Sequence, residues 1–131
     1  MAKQVEQPQE GTLIFVYNAD AGLWNMALDA MHKVFSPKTY PCHLCAITYG
    51  PVSMRKQWRK FIEQLPIEVR FLHKDEWEQE FGRKDALPAA FLVEKREVEV
   101  FLAKAQMDQM DLAQLQEYVR QQLQQKGFSP A

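Results

Sequence analysis

The chain has 131 residues, is 47% hydrophobic and carries a formal net charge of −1. That size and apolar content suit one compact domain with a true core, and the near-neutral balance gives no global field toward nucleic acid or acidic lipid. No apolar stretch reaches membrane-spanning length, and the two cysteines are too few to staple a disulfide scaffold.

Residues 1–11 read as a flexible N-terminal arm. The first ten, MAKQVEQPQE, lack the apolar core of a secretory signal, so the expectation is a cytoplasmic protein whose thiols rest reduced. A single domain is expected over 12–126, with a short tail at 127–131. Thr12-Leu-Ile-Phe-Val-Tyr17 is a continuous β-branched and aromatic run, the pattern of a strand buried on both faces. Asn18-Ala-Asp-Ala-Gly22 follows as a turn, where Asp20 can cap a helix by accepting its orphan amide hydrogens. That helix is expected over 21–35, with Leu23, Ala27, Met31 and Val34 on one face, and Ser36-Pro37 stops it.

Residues 45–49 are short. Ile47, Thr48 and Tyr49 favour a strand, which Gly50-Pro51 ends. Ser53 can cap a second helix with Met54, Trp58, Phe61, Ile62 and Leu65 as its apolar stripe, and Arg55, Lys56, Arg59 and Lys60 mostly on the wet side. Residues 67–72 alternate as a strand, and 75–81 form a short helical turn pairing Trp77 with Phe81. The apolar runs 87–93 and 98–102 flank a charged turn and read as an antiparallel hairpin. Asp111 and Gln114 form a capping box for a last helix that buries Leu115, Val119 and Leu123. The expected class is α/β, a mixed sheet flanked by helices in the order β-α-β-α-β-β-β-α or a close variant.

A proline just before an apolar strand, then a charged turn, a second strand and a C-terminal helix, resembles the second half of thioredoxin-like proteins. The resemblance centres on Leu87-Pro88-Ala89-Ala90-Phe91-Leu92-Val93. It covers 67–123 and, more loosely, 12–35. It implies a thioredoxin-like fold in which Pro88 is cis and lies beside active thiols. The fuller pattern, with Tyr40-Pro41-Cys42-His43-Leu44-Cys45, also resembles a family of small uncharacterised bacterial proteins, a likeness that implies no established chemistry. One departure is specific. Thioredoxins open the helix after the first strand with their Cys-x-x-Cys, whereas here that place, 18–22, has no cysteine. Cys42 and Cys45 arrive one helix later. If a parallel strand began near Cys45, both thiols would lie at its entry end, away from the usual ligand crevice.

The Cys-x-x-Cys spacing is compatible with thiol exchange, with Cys42 attacking, Cys45 resolving and a protonated His43 favouring the thiolate. The alternative is a structural pair, with Cys45 a small buried hydrophobe. A zinc site would need about four ligands. The chain offers only Cys42, Cys45 and the histidines His32, His43 and His73, and a set of Cys42, Cys45, His32 and His73 requires folding to converge them; no metal or other cofactor is expected. The charged residues from 55 to 80 read first as solvated faces, and second as a basic patch for an anionic partner. No phosphate loop, dinucleotide fingerprint or nucleophile motif is present. Three functional readings follow. One is a thiol–disulfide protein using Cys42, Cys45 and Pro88. Another is a non-catalytic domain that binds another protein. The third is a small-ligand protein or enzyme using the 18–22 turn. Nucleic-acid and membrane partners are not expected.

Overall fold

A computed structural model describes residues 11–18, 43–49 and 54–128. The elements in chain order are β1 (Thr12–Tyr17), α1 (His43–Thr48), α2 (Lys56–Glu63), β2 (Glu68–His73), α3 (Lys74–Phe81), β3 (Ala89–Glu94), β4 (Glu97–Leu102), α4 (Lys104–Met107) and α5 (Leu112–Gln125). The strands form one mixed sheet in the order β2-β1-β3-β4. β1 is parallel to β2, with Tyr17 opposite His73, and antiparallel to β3, with Val16 opposite Ala89. This is an α/β arrangement with a general thioredoxin-like topology.

β1 is central, and side chains alternate across a strand with period two. Leu13, Phe15 and Tyr17 therefore enter one core, while Ile14 and Val16 enter another. All five are essentially inaccessible, as the uninterrupted apolar run predicts. The first core, on what we call the near face, is closed by α1, α2 and α5 through Leu44, Cys45, Trp58, Leu115, Val119 and Leu123. The second, on the far face, is capped by Trp77 of α3 with Leu72, Leu87 and Phe91. Phe15 meets Trp58 edge-on at 5.4 Å and stacks on Phe71 at 5.5 Å. Trp77 stacks on Phe91 at 4.2 Å and touches Phe81 at 4.4 Å, the i,i+4 pair expected from sequence.

Two expectations change. Residues 43–48 form a helix where a strand from Cys45 was expected. The β-branched residues there lose to burial. Leu44, Cys45 and Thr48 share one buried helical face, and the Thr48 hydroxyl donates to the Leu44 carbonyl at 2.6 Å, so its polar group is satisfied inside the core. The sheet accordingly has four strands instead of five among the described residues. The second helix also starts later than expected. Its N-cap is Arg55, with no side-chain cap, and Ser53 lies outside the described residues. The expected helix over 21–35, its Asp20 cap and its proline stop lie outside them as well.

The other expected elements follow their sequence signals. In the β3–β4 turn both Lys95 and Arg96 take positive φ, 48° and 72°, the combination of a type I′ turn, without the usual Asn or Gly. Asp111 and Gln114 form the anticipated reciprocal capping box, at 2.8 and 2.9 Å. The short helix α4 was not foreseen; four residues give too little periodicity to read. Tyr118 of α5 donates its hydroxyl to the Phe101 carbonyl at 3.1 Å, tying that helix to β4.

Candidate functional site

The site is built around α1 and the carboxyl end of β1. Cys45 sits in the first turn of α1 and is fully buried among near-face residues. The other end of the same helix leads to Tyr49, whose ring meets Tyr17 at 6.3 Å. Tyr17 is the last residue of β1 and stacks on Phe71 at 6.1 Å, with the His73 ring 5.3 Å away. Pro88 is buried and immediately precedes Ala89, which pairs with Val16. The Tyr49 end of α1 and Pro88 thus both gather at the carboxyl end of β1, where ligands of open α/β sheets usually bind. The Leu87–Pro88 peptide bond is cis, the geometry the resemblance implies at that position.

Since 43–48 is a helix, the geometric objection drawn from a strand at Cys45 loses its premise. Cys42 directly precedes the first helical residue in sequence, but it lies outside the described residues, as do Tyr40 and Pro41. His43 is described. Its Nε2 lies 2.6 Å from the carbonyl oxygen of Met110. A carbonyl can only accept, so Nε2 carries the hydrogen, and in the neutral ring Nδ1 is left as the acceptor. The contact pins the start of α1 to the segment between α4 and α5. Sequence reading missed it, because nothing in the pattern links positions 67 residues apart.

His73 pairs with Glu76, three residues on. Its backbone N–H donates to Glu76 at 2.7 Å, and its Nδ1 lies 2.9 Å from the same oxygen. The backbone N–H first, then the His73 side chain, hold the Glu76 carboxyl below its usual range. Arg70 and Glu80 form a bidentate pair at 2.8 and 2.9 Å. The hydrogen bond from that guanidinium is likewise the main cause of a lowered Glu80.

Of the four-residue zinc set, His32 and Cys42 lie outside the described residues, Cys45 is buried in the near-face core, and His73 pairs with Glu76 through Nδ1. Among the described residues no group of three or more His, Cys, Asp or Glu could hold a metal ion. Of the 18–22 turn only Asn18 is described, as an exposed bend after β1. Trp58 and Trp77 are core residues with no exposed surface.

A groove of about 450 Å³ lies elsewhere, between the C-terminal halves of α2 and α5, walled by Phe61, Leu65, Pro66, Leu123 and Phe128. Phe128 lies against Gly11, at the amino end of β1, where a Cβ would come within 3.3 Å of its ring. The groove is therefore at the opposite end of β1 from Pro88.

The sheet order, the parallel β1–β2 pair and the flanking helices define a mixed α/β protein, consistent with a general thioredoxin-like topology. No protein-family model, curated protein or solved structure matches the chain. No described helix is long and apolar enough to cross a membrane.

Proposed function

We propose that the chain is a thioredoxin-like protein with a thiol–disulfide redox role carried by Cys42 and Cys45, with Pro88 beside them. The single observation that carries this reading is the helix at 43–48. It puts Cys45 in a first helical turn with Cys42 just ahead of it in sequence, the order in which helix amides stabilise a thiolate. In the reductive direction the Cys42 thiolate attacks one sulfur of a substrate disulfide. A mixed disulfide forms, and the other substrate sulfur leaves as thiolate and takes up a proton. The Cys45 thiol, losing its proton, then displaces the second substrate sulfur. The substrate gains two electrons and two protons, and the protein is left with a 42–45 disulfide. A dithiol such as dithiothreitol regenerates it in an assay.

The test combines mass spectrometry with turnover. Oxidised protein should show a reversible 42–45 disulfide with a defined potential, and reduction of insulin disulfides should vanish in Cys42→Ser. An unmutated protein that forms no such bond and reduces no insulin rules the role out.

A second reading has its own observation. Cys45 is fully buried in the near-face core that also holds Leu13, Leu44 and Trp58, as suits a structural cysteine in a domain that binds another protein without catalysis. Under this reading Cys45→Ala costs stability, while Cys42→Ser leaves a partner interaction intact.

A further inference from the structure

We propose that the outer face of α2 is a docking surface for an acidic helical segment of a partner protein. Arg55, Lys56, Arg59 and Lys60 are all exposed, and among the described residues none has a carboxylate partner. Elsewhere Arg70, Arg83, Lys104, Arg120 and Lys126 each hold a carboxylate. Lys74, Lys84, Lys95 and Arg96 are exposed without one too, but they are spread over three segments, whereas four such cations gather within positions 55–60 of a protein whose overall charge is −1.

At 100° per residue, Lys56, Arg59 and Lys60 fall within an arc of about 100°, opposite the stripe of Trp58 and Ile62. Lys56 and Lys60 form one i,i+4 row; Arg55, the N-cap, begins a second row with Arg59. Each row spaces its charges about 6 Å apart along the axis, the spacing of carboxylates four residues apart on another helix. Lys60 lies in the last turn of α2, where the helix dipole favours a cation, but Arg55 and Lys56 stand at the opposite end, where it disfavours them, with no acidic residue in the first turn and no side-chain cap. An incoming row of carboxylates relieves that repulsion.

The surroundings select among anionic partners. Glu63, exposed on the same stripe one turn beyond Arg59, ends the cationic stretch after two turns, which disfavours a long polyanion. The apolar side of α2 is spent on the core, so nothing on this helix can insert into a bilayer. The one large hydrophobic residue exposed among the described residues, Val100, is on β4, opposite Phe91. Among the described residues no aromatic side chain on this face is available to stack on bases.

The experiment uses the full chain and a labelled helical peptide of about twenty residues bearing glutamates in i,i+4 pairs, with a glutamine version as control. At about 50 mM salt the acidic peptide should bind saturably, one to one, and the control should not. Raising salt to about 300 mM should weaken binding roughly tenfold. Arg59→Glu with Lys60→Glu should cost at least tenfold in affinity while leaving the melting temperature within about two degrees, since both positions are exposed. Absent binding at low salt, or binding unchanged by the double reversal, overturns the proposal. So does tighter binding of a short DNA duplex or of phosphatidylserine vesicles than of the peptide. A chain that self-associates through these residues would assign the face to a second copy and overturn it equally.

Discussion

The two faces of the sheet are closed by different means. On the near face, three helices bury a broad apolar core around Phe15, Trp58 and Leu115, and polar groups intervene little. On the far face the smaller core around Trp77 is held down partly by polar contacts. The Trp77 indole N–H donates to Asp85 at 2.9 Å, and Arg83 donates to the same carboxylate at 3.1 and 3.2 Å. The Arg83 guanidinium also lies 5.9 Å from the Trp77 ring and 5.6 Å from that of Phe91. The near face is stable through area removed from water, and the far face depends on a few hydrogen bonds that have to be complete. The far-face ties also fix the segment that leads into Pro88, so they bear on the candidate site as well as on stability.

That contrast can be tested directly. The largest effect is expected on the near face, where Phe15→Ala removes a fully buried ring lodged between Trp58 and Phe71. It should cost about 3–5 kcal/mol by urea denaturation, and a loss under about 1 kcal/mol would show that the near core can collapse around the gap. On the far face Asp85→Ala leaves a buried indole N–H without its acceptor. About 1–3 kcal/mol should be lost, with the tryptophan fluorescence of Trp77 changed; Trp77→Phe in the Asp85→Ala background should then add less than it does alone. At the end of the near face, Asp111→Ala removes the acceptor for the Gln114 amide and should lower stability by about 1 kcal/mol.

The smallest effect is a pH dependence on the β2–α3 side. Glu76 and Glu80 have carboxyls held below their ordinary range, the first by His73 and the second by Arg70. A depressed folded-state value means the stabilisation is complete above the ordinary carboxylate range. It is lost as pH falls through the lowered values. Urea midpoints should therefore drop modestly between pH 7 and about pH 3, and Glu76→Gln with Glu80→Gln should flatten that drop. Both carboxylates are largely exposed, so solvent screening keeps the effect small. An unchanged slope in the double variant would show that other carboxylates carry the acid sensitivity.

Much of this architecture was legible from local pattern. The doubly buried run at 12–17, the Trp77–Phe81 pair, the hairpin before and after the charged turn, and the capping box at Asp111 and Gln114 each depend on residues close in sequence. The misread segment was 43–48. Its β-branched residues score as strand, but six residues cannot distinguish strand from helix by propensity when burial of Leu44, Cys45 and Thr48 decides. The difference matters, because a strand beginning at Cys45 would place both thiols at its entry end, away from the usual ligand crevice. The Met110 contact of His43 and the Asp85 contact of Trp77 left no local trace either. Each joins a side chain to a group whose position is set by how the chain turns.

The sequence by itself determined the helical and strand periodicities, the proline ahead of β3, the Cys-x-x-Cys spacing and the cationic stripe at 55–60, since each follows from the order of residues along the chain. The tertiary structure alone decided that 43–48 is a helix, that Cys45 is enclosed in the near-face core, and that the Tyr49 end of α1 meets Tyr17 at the end of β1 flanked by Pro88. Those outcomes depend on packing between segments far apart in sequence, where burial and satisfied polar groups outweigh the modest preferences of a few residues for one backbone conformation.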